Sequence, residues 1–455
     1  MESRSAKVGA FVRELDLARV PPDVRQKAKL VFLDALGIAL ASSTMDFGAI
    51  ALKAARALGG KSESRLIGTR DKVAAANAVL AGGTLAHGLD YDDTREGAIV
   101  HTGSTAAITA LAVGEATGAG GKATLEAAIA GIEVMCKIGL AAPGKFHARG
   151  FHPTALCGTF GAAAAAGKLY GLKPAQWVDA FGICGSQSSG IIEYLADGTW
   201  TKRLHPGWSS HAGVVAALLA RGGFRGPAAV FEGTHNFYKA FGASDPDLGK
   251  LDELGKIWEV PYLTFKTYPC GSISHPYMDC ALRLRQKHSL RPENIAEVVC
   301  RTAEGPVHRL WEPLKDKQRP VSDYGAKFAL PYSIAVILVR GKAGLAEFTD
   351  EAIHDEEVLR LADRVRYELD PTIDYPRHLS GHVKIRLNDG AWLEENQPYP
   401  RGGFESPLPP EEIEEKFRAN AALALDTKKA DEIVRVMRDL ENLPKIAALA
   451  DLLAP

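Results

Sequence analysis

The sequence has little of several features that would assign it to a functional class. Its 455 residues include only six cysteines, and no two of them form a C-x-x-C pair. Their spacing and the large apolar fraction favour reduced, mostly buried thiols in a cytosolic protein. The formal net charge is only −1, so no charge surplus would attract nucleic acid or an anionic membrane. We therefore expect neither as a partner.

Long apolar runs are also missing. One of several apolar stretches, residues 127–142, is interrupted by Glu133 and Lys137, and it falls short of the roughly 18 clean apolar residues that a membrane span needs. The first residues, MESRSAKVGAFVRELDL, are charged and amphipathic and lack the apolar core of a secretory signal. The expected localisation is therefore cytoplasmic.

What the sequence has in abundance, over its first 260 residues or so, is alanine and glycine in helical patterns. Apolar residues recur at helical spacing, and small residues would let helices approach closely. Helices are predicted in segments 22–43, 74–93, 105–118, 124–141, 159–172 and 211–223. This part of the chain therefore predicts a compact helical domain.

The pattern changes after about residue 260. Segments 294–305, 364–370 and 382–395 alternate apolar and polar residues, as strands do, and Asn388-Asp389-Gly390 is typical of a hairpin turn. Helical patterns occupy residues 275–288, 327–341 and 355–365 and return after residue 408. This order predicts a small α/β domain with a partly antiparallel sheet.

The first stretch with chemical potential is HGLDYDDTREGAIVHTGS, residues 87–104. If residues 74–93 are helical, Asp90 and Thr94 lie one turn apart on one face and His87 lies a turn before Asp90, while Asp92 and Asp93 point elsewhere. Carboxylates at a helix C-terminus oppose the helix dipole. The stretch is therefore either a frayed helix end or a functional site, and its residues alone do not decide between the two.

Three further stretches place cationic or titratable side chains near segment ends: 147–169 with His152, 196–213 with Lys202, Arg203, His205 and His211, and 263–279 with Lys266 and His275. Each alone fits a structural histidine or a solvated basic loop. Together with Asp90 and His101 they predict a cationic pocket with an acid–base group at a domain junction, where small-molecule sites are favoured.

The charge of such a pocket indicates its ligand. Lysines and histidines suit a substrate with two or three carboxylates, and histidine exchanges protons near neutral pH. Removing a proton α to a carboxylate builds negative charge on that carboxylate, which fixed cations stabilise. Elimination, decarboxylation and epimerisation of a small polycarboxylate all remain open on this basis.

The same stretches resemble a known family. HGLDYDDT, GFHPTALCGTFGAAAAAGKL, DGTWTKRLHPGWSSHAG, FKTYPCGSISHP and AKFALPYSIA are similar, in order, to the motifs of the MmgE/PrpD family, which includes 2-methylcitrate dehydratase, cis-aconitate decarboxylase and iminodisuccinate epimerase. The resemblance implies a mainly α fold with an all-helical domain at residues 1–262 and 405–455. It also implies a smaller α/β lid domain at 263–404, a homodimer, and metal-free catalysis in a cleft.

The resemblance assigns roles to seven residues. As catalytic residues it implies His101, Asp90, His152 and Lys202, and as substrate-binding residues Thr94, Lys266 and His275. His101 matches a proton-transfer candidate of the decarboxylase branch. Two departures count against a cis-aconitate decarboxylase proper. That branch places its histidine closer to the matching lysine than His275 lies to Lys266, and residues 306–313 contain no tyrosine to match its pocket tyrosine.

The sequence offers no support for a metal or an organic cofactor. No H-E-x-x-H or C-x-x-C pattern is present, lysines in the pocket would repel a cation, and the cysteines lack iron–sulfur cluster spacing. No G-x-G-x-x-G joins a strand to a helix, which argues against a nucleotide cofactor.

The sequence therefore predicts a cofactor-independent lyase acting on a small di- or tricarboxylate, most like 2-methylcitrate dehydratase. The alternatives are an iminodisuccinate-type epimerase, a cis-aconitate-type decarboxylase and, from another class, a non-catalytic polycarboxylate-binding relative. The sequence leaves open which polycarboxylate is the substrate, and whether Asp90 or a histidine is the base.

Overall fold

The structure is a computed structural model that describes residues 3–375 and 378–455. The chain divides into two compact units: Met1–Leu263 with Pro409–Pro455, and Thr264–Leu408. The sequence placed these divisions after residues 262 and 404, one and four residues before the observed ones.

The first unit is almost entirely helical. Its helices before residue 263 are α1 (Arg4–Glu14), α2 (Pro22–Ser43), α3 (Asp46–Leu58), α4 (Ala75–Ala86), α5 (Ile108–Thr117), α6 (Gly121–Leu140), α7 (Lys145–Ala148), α8 (Pro153–Tyr170), α9 (Pro174–Gln187), α10 (Tyr194–Asp197), α11 (Thr201–Arg221), α12 (Phe237–Ala240) and α13 (Gly249–Asp252). Helices α2, α8 and α9 begin with a proline. Proline fits a first turn because the backbone N–H that it lacks would have no intrahelical partner there. Two short antiparallel strands, β1 (Ser64–Arg65) and β2 (Lys72–Val73), are an addition that the helical pattern did not predict.

Helix α8 forms the centre of the first unit. It is buried from Pro153 to Gly167, and α6, α9 and α11 pack against it. Most of its residues are alanine, glycine or threonine, so neighbouring helices approach closely over most of its length. This packing brings the N-terminal turn of α8 next to α11.

Helices α4 and α11 also meet through glycines. A Cβ on Gly83 would lie 2.8 Å from the Gly207 Cα, and a Cβ on Gly207 would lie 2.1 Å from the Leu80 carbonyl oxygen. Both separations are too short for any side chain. The two helix backbones therefore touch directly, and this contact sets the distance between the end of α4 and the start of α11.

The second unit, over its described residues, contains a four-stranded sheet and six helices. The strands are β3 (Ile295–Thr302), β4 (Val365–Leu369), β5 (Gly381–Leu387) and β6 (Trp392–Gln397), in the order β4-β3-β5-β6. The helices are α14 (His275–His288), α15 (Val307–Leu310), α16 (Leu314–Gln318), α17 (Asp323–Ala326), α18 (Leu330–Arg340) and α19 (Glu356–Ala362). Strands β3 and β4 are parallel, while β3–β5 and β5–β6 are antiparallel. The predicted hairpin turn at Asn388-Asp389-Gly390 joins β5 to β6, and Gly390 takes the positive φ of 90° that such a turn requires. A mainly α fold with a smaller α/β domain is confirmed.

The chain then returns to the first unit with α20 (Pro410–Ala421), α21 (Thr427–Arg438) and α22 (Ala447–Leu452). Lys416 of α20 forms an ion pair of 2.8 Å with the buried Asp34 on α2. Its ammonium also donates a hydrogen bond of 2.7 Å to the backbone carbonyl of Tyr91 and lies 3.7 Å from the centre of that ring. The C-terminal segment thus supports the loop that follows α4.

No single helix among the described residues is both long and apolar enough to cross a membrane. Within the described ranges, one pair of helices, Pro22–Ser43 and Asp46–Leu58, meets the length and composition requirements when taken together, and it bends by 95°.

Candidate active site

The acidic loop after α4 does not continue the helix. Helix α4 ends at Ala86, with His87 as its C-cap, so the helix predicted over 74–93 is seven residues too long. Asp90 and Ile99 both adopt left-handed backbone with φ of 54°, an uncommon conformation for an aspartate and a strained one for a β-branched isoleucine. The loop therefore reverses, and it brings together side chains that a helix would separate.

The reversal places Asp92 against two histidines, where the sequence predicted that it would point elsewhere. Both Asp92 carboxylate oxygens lie 2.9 Å from the His87 Nδ1, and one lies 3.5 Å from the His101 Nδ1. The Asp92 and His87 side chains have no exposed surface. The prediction for Asp92 was wrong because it assumed a regular helix.

His101 has a defined ring orientation. Its Nδ1 lies 2.9 Å from the backbone carbonyl of Asp93 and 3.3 Å from the Thr94 hydroxyl. Because a carbonyl oxygen only accepts, Nδ1 must carry the proton, and the neutral ring then has its lone pair on Nε2. The structure thus brings Thr94, predicted to bind substrate, against His101, and gives His101 the tautomer of a base.

The carboxylate of Asp93 has a separate role. It accepts hydrogen bonds from the Thr102 backbone N–H (3.1 Å), the Thr102 hydroxyl (2.6 Å) and the Gly103 N–H (2.7 Å), at the start of a π-helical turn over Gly103–Ala107. Burial and the adjacent Asp92 raise the pKa of Asp93 to about 7 despite these bonds. Asp93 therefore anchors the residues that follow His101.

His152 lies at the N-cap of α8, and its Nδ1 is 3.0 Å from the Nδ1 of His205 on α11. One of the two nitrogens must donate and the other accept, so the pair cannot carry two extra protons and keep this bond. Burial lowers the pKa of His152 well below its ordinary value, and burial, His87 and Lys202 lower the pKa of His205 to about 4. Both imidazoles are neutral at neutral pH, so they do not add the positive charge that the sequence led us to expect.

Lys202 supplies the positive charge in this part of the site. It lies in the first turn of α11 and forms a buried ion pair with Asp90. Burial alone would lower the pKa of Lys202, but Asp90, Tyr194 and Asp92 outweigh that effect and raise it. Asp90 therefore keeps Lys202 a cation in a buried position.

Lys266 and His275 belong to the second unit. Lys266 is buried there, and His275 is the first residue of α14. The His275 Nε2 lies 3.3 Å from the Cys270 carbonyl oxygen, and its Nδ1 lies 3.4 Å from the Thr267 hydroxyl. Their roles as substrate-binding residues remain predictions.

The structure thus groups His101, Asp90, His152, Lys202 and Thr94 within the first unit, and it adds three residues that the sequence did not assign. These are His87, Asp92 and His205. A sequence signal existed for His205, which follows Lys202 by three residues and so shares its helix face. The loop reversal that selects His87 and Asp92 has no comparable signal.

Three of these histidines form a cluster. One ring nitrogen from each of His87, His101 and His152 lies within 4.8 Å of the others. Imidazole nitrogens are common metal ligands, with bonds of about 2.0–2.1 Å to zinc. His87 and His101 lie in one stretch of sequence and His152 in another, and their spacing matches no H-E-x-x-H motif. That the reaction proceeds without a metal remains a prediction.

Residues 6–248 match the MmgE/PrpD N-terminal domain, and residues 268–442 match the MmgE/PrpD C-terminal domain. The chain belongs to the MmgE/PrpD family. The predicted family is therefore confirmed. The first matched region lies within the helical unit, and the second covers most of the α/β unit and continues into the C-terminal helices of the helical unit.

Other members of the MmgE/PrpD family align along this chain. The cis-aconitate decarboxylase-like protein oryM of Aspergillus oryzae is 27% identical, covering 99% of this chain and 97% of its own. The cis-aconitate decarboxylase of Homo sapiens is 26% identical, covering 100% and 95%. The 2-methylcitrate dehydratase-like protein oryR of Aspergillus oryzae is 27% identical over 44% of this chain and 42% of its own. Decarboxylases and dehydratases of this kind are lyases, so these similarities support a lyase-type enzyme.

Proposed function

We propose that this protein is a cofactor-independent lyase that removes the proton α to a carboxylate of a small di- or tricarboxylate and eliminates water, in the manner of a 2-methylcitrate dehydratase. The observation that supports it most directly is the orientation of His101. Its Nδ1–H donates to the Asp93 carbonyl, which leaves a lone pair on Nε2. A histidine held in that tautomer is suited to accept a proton from carbon.

The proposed reaction needs a base, a cation and an acid. His101 takes the α proton, and the C–H electrons form the new double bond as the β C–O bond breaks. The β hydroxyl leaves as water with the proton that His101 has taken, so protonated His101 also serves as the acid, and the net products are an unsaturated acid and water. Lys202, kept charged by Asp90, stabilises the negative charge that builds up on the substrate carboxylate in the transition state. Lys266 and His275 are proposed to bind a further carboxylate.

A cis-aconitate-type decarboxylation is the second candidate. It is favoured by the relatives that align over nearly the whole chain, since they bear that name. The same cations would stabilise the carbanion left by departing CO₂, and a protonated imidazole would then return a proton to carbon. Epimerisation of an iminodisuccinate-type substrate, or simple binding of a polycarboxylate, would also suit this pattern of charges.

A substrate panel distinguishes these reactions. The enzyme would be incubated in D₂O with methylcitrate, citrate, cis-aconitate and iminodisuccinate, and the products followed by NMR. Dehydration yields an unsaturated acid with all carboxylates retained, decarboxylation releases CO₂, and epimerisation only exchanges the α proton. No exchange and no product with any of the four acids would contradict the enzymatic proposal in favour of a binding protein.

Single substitutions test the role proposed for each of these residues. His101→Gln should keep substrate binding and lose roughly 10²–10⁴ in turnover, the usual effect of removing a general acid or base. Lys202→Ala or Lys266→Ala should weaken binding by about 1.5–3 kcal/mol through loss of a charge-assisted contact, and should make it less sensitive to salt. Turnover near the wild-type rate in His101→Gln would transfer the proton role to His152 or Asp90.

We also propose that the protein is a homodimer. Several apolar side chains on and beside α11 are at least 36% exposed, namely Trp200, Leu204, Trp208, Leu218, Leu219 and Phe224. A group of exposed apolar side chains on and beside one helix is typical of a protein contact. We propose that a second copy of the chain covers it.

A further inference from the structure

The candidate base His101 has a carboxylate near its protonated nitrogen that no motif assigned to it. We propose that Asp92, held by His87, is the positioning residue that supports the positive charge His101 acquires when it accepts a proton. This inference rests on the proposed function, in which His101 is the base. Asp92 does not touch substrate, and it acts only through His101.

The geometry gives Asp92 two histidine partners. Both of its oxygens lie 2.9 Å from the His87 Nδ1, and the 3.5 Å separation from the His101 Nδ1 is longer. The His101 Nδ1 lies closer to the Asp93 carbonyl oxygen, at 2.9 Å. The carbonyl therefore fixes the tautomer of His101, while Asp92 supplies a nearby negative charge rather than the main hydrogen bond.

His87 has an unusual environment that supports this division of roles. It is 1% exposed, its Nδ1 is held by Asp92, and no described residue provides a hydrogen-bond partner for its buried Nε2. A histidine kept only for packing would normally have both nitrogens satisfied when buried. Its ring centre lies 4.5 Å from that of His101. His87 thus fixes the position of the Asp92 carboxylate directly beside His101.

Other titratable groups surround His101 within the first unit. His152 on α8 has its ring centre 6.0 Å away, and it is neutral and hydrogen-bonded to His205. The Asp93 carboxylate is engaged by Thr102 and Gly103. Lys202 is paired with Asp90. Among these groups, Asp92 is the carboxylate that directly approaches the ring nitrogen of His101.

The experiment combines a titration with kinetics. The imidazole signals of histidine-labelled protein are followed by NMR as pH is varied, and His101 is assigned by its loss in His101→Gln. Removing a nearby carboxylate lowers the basicity of an imidazole. In Asp92→Asn the His101 signal should therefore titrate at lower pH than in the wild type. The acidic limb of the kcat profile should shift in the same direction, kcat should fall roughly 10- to 100-fold, and KM should change little.

Two sets of variants separate positioning from structure. Glu115→Gln removes another buried carboxylate, which lies on α5 and pairs with Lys72, so it should lower stability without moving the His101 titration. His87→Asn retains an amide N–H near the position of Nδ1 and should preserve most of the wild-type titration. His87→Ala releases Asp92 and should reproduce the Asp92→Asn shift.

The outcomes are distinct. An unchanged His101 titration in Asp92→Asn overturns the proposal, and if that variant does not fold, an unchanged titration in His87→Ala overturns it instead. The titration needs no substrate. If no polycarboxylate is turned over, the proposed function fails, whereas the shift in His101 still decides the role of Asp92.

Discussion

The backbone contact between α4 and α11 leads to a quantitative prediction for Gly207→Ala. The new Cβ would lie 2.1 Å from the Leu80 carbonyl oxygen, 2.4 Å from the Thr84 hydroxyl and 2.9 Å from the Thr84 backbone nitrogen. Since Cβ contacts below 3.0 Å essentially never occur, the helices must separate locally by about 0.9 Å. The obstacle is backbone, so a side-chain rotation cannot relieve it.

The energetic effect follows from two opposing contributions. Overpacking a filled contact typically costs about 1–3 kcal/mol, while alanine gains up to about 1 kcal/mol over glycine inside a helix. We expect a net loss of about 1–2 kcal/mol in the free energy of unfolding. A displacement near 1 Å at a catalytic site can reduce turnover by about 10²-fold. Such a displacement would move the site residues relative to one another, because His87 lies at the end of α4 while Lys202 and His205 lie at the start of α11.

The same helix offers a matched control. Gly222 lies at the C-cap of α11 with an ordinary φ of −75°, and a Cβ there would meet only Leu219 and Leu218 carbonyl oxygens at 3.4 and 3.5 Å. Gly222→Ala should leave both stability and turnover close to wild type. Thermal unfolding followed by circular dichroism and steady-state turnover would be measured for both variants. A Gly207→Ala variant as stable and as active as Gly222→Ala would refute the reasoning.

Three further predictions concern the site and the assembly. Folding lowers the pKa of His205 from an ordinary 6.5 to about 4, so neutral His205 contributes fully to stability above pH 6.5, and up to about 3 kcal/mol is lost as pH falls toward 4. Urea unfolding at several pH values should show that His205→Asn loses less stability in acid than the wild type does. An identical loss of stability in both proteins would contradict this prediction. Extended chelation should leave activity intact, and loss that one specific metal restores would instead identify the histidine cluster as a metal site. Light scattering should give twice the 48.7 kDa chain mass for the wild type and the single mass for Trp208→Glu, whereas a monomeric wild type would contradict the proposed dimer.

The sequence was sufficient for the architecture because the architecture depends on repeated local patterns. The alanine-rich helical periodicity, the alternating strands and Gly390 in its hairpin each act within a few residues, so their effect is visible without a structure. The predicted site residues of the first unit also came together, since they lie in the loop after α4 or at the starts of α8 and α11. Their partners were not predictable in the same way. Asp90 was expected near a histidine and pairs with Lys202, more than 100 residues away.

The role of Asp92 shows why local reasoning failed there. Helical geometry would direct it away from His87, but left-handed backbone at Asp90 reverses the chain. That conformation is opposed by local preference, so it depends on surrounding contacts. These include Lys416, which holds the Tyr91 carbonyl from the far end of the chain. A contact between residues so far apart in the chain cannot be predicted from a pattern of neighbouring residues.

The contact made by Lys416 also determines when the acidic loop can adopt its final conformation during synthesis of the chain. As the nascent chain emerges, α2 and the acidic loop are exported first, and the whole second unit is translated before α20 appears. Until then Asp34 remains without its ammonium partner, and the Tyr91 carbonyl lacks the donor that holds it. The acidic loop can therefore reach its final form only after translation has passed residue 416. A ribosome-bound intermediate that already carries nearly all of the catalytic side chains is accordingly expected to be inactive.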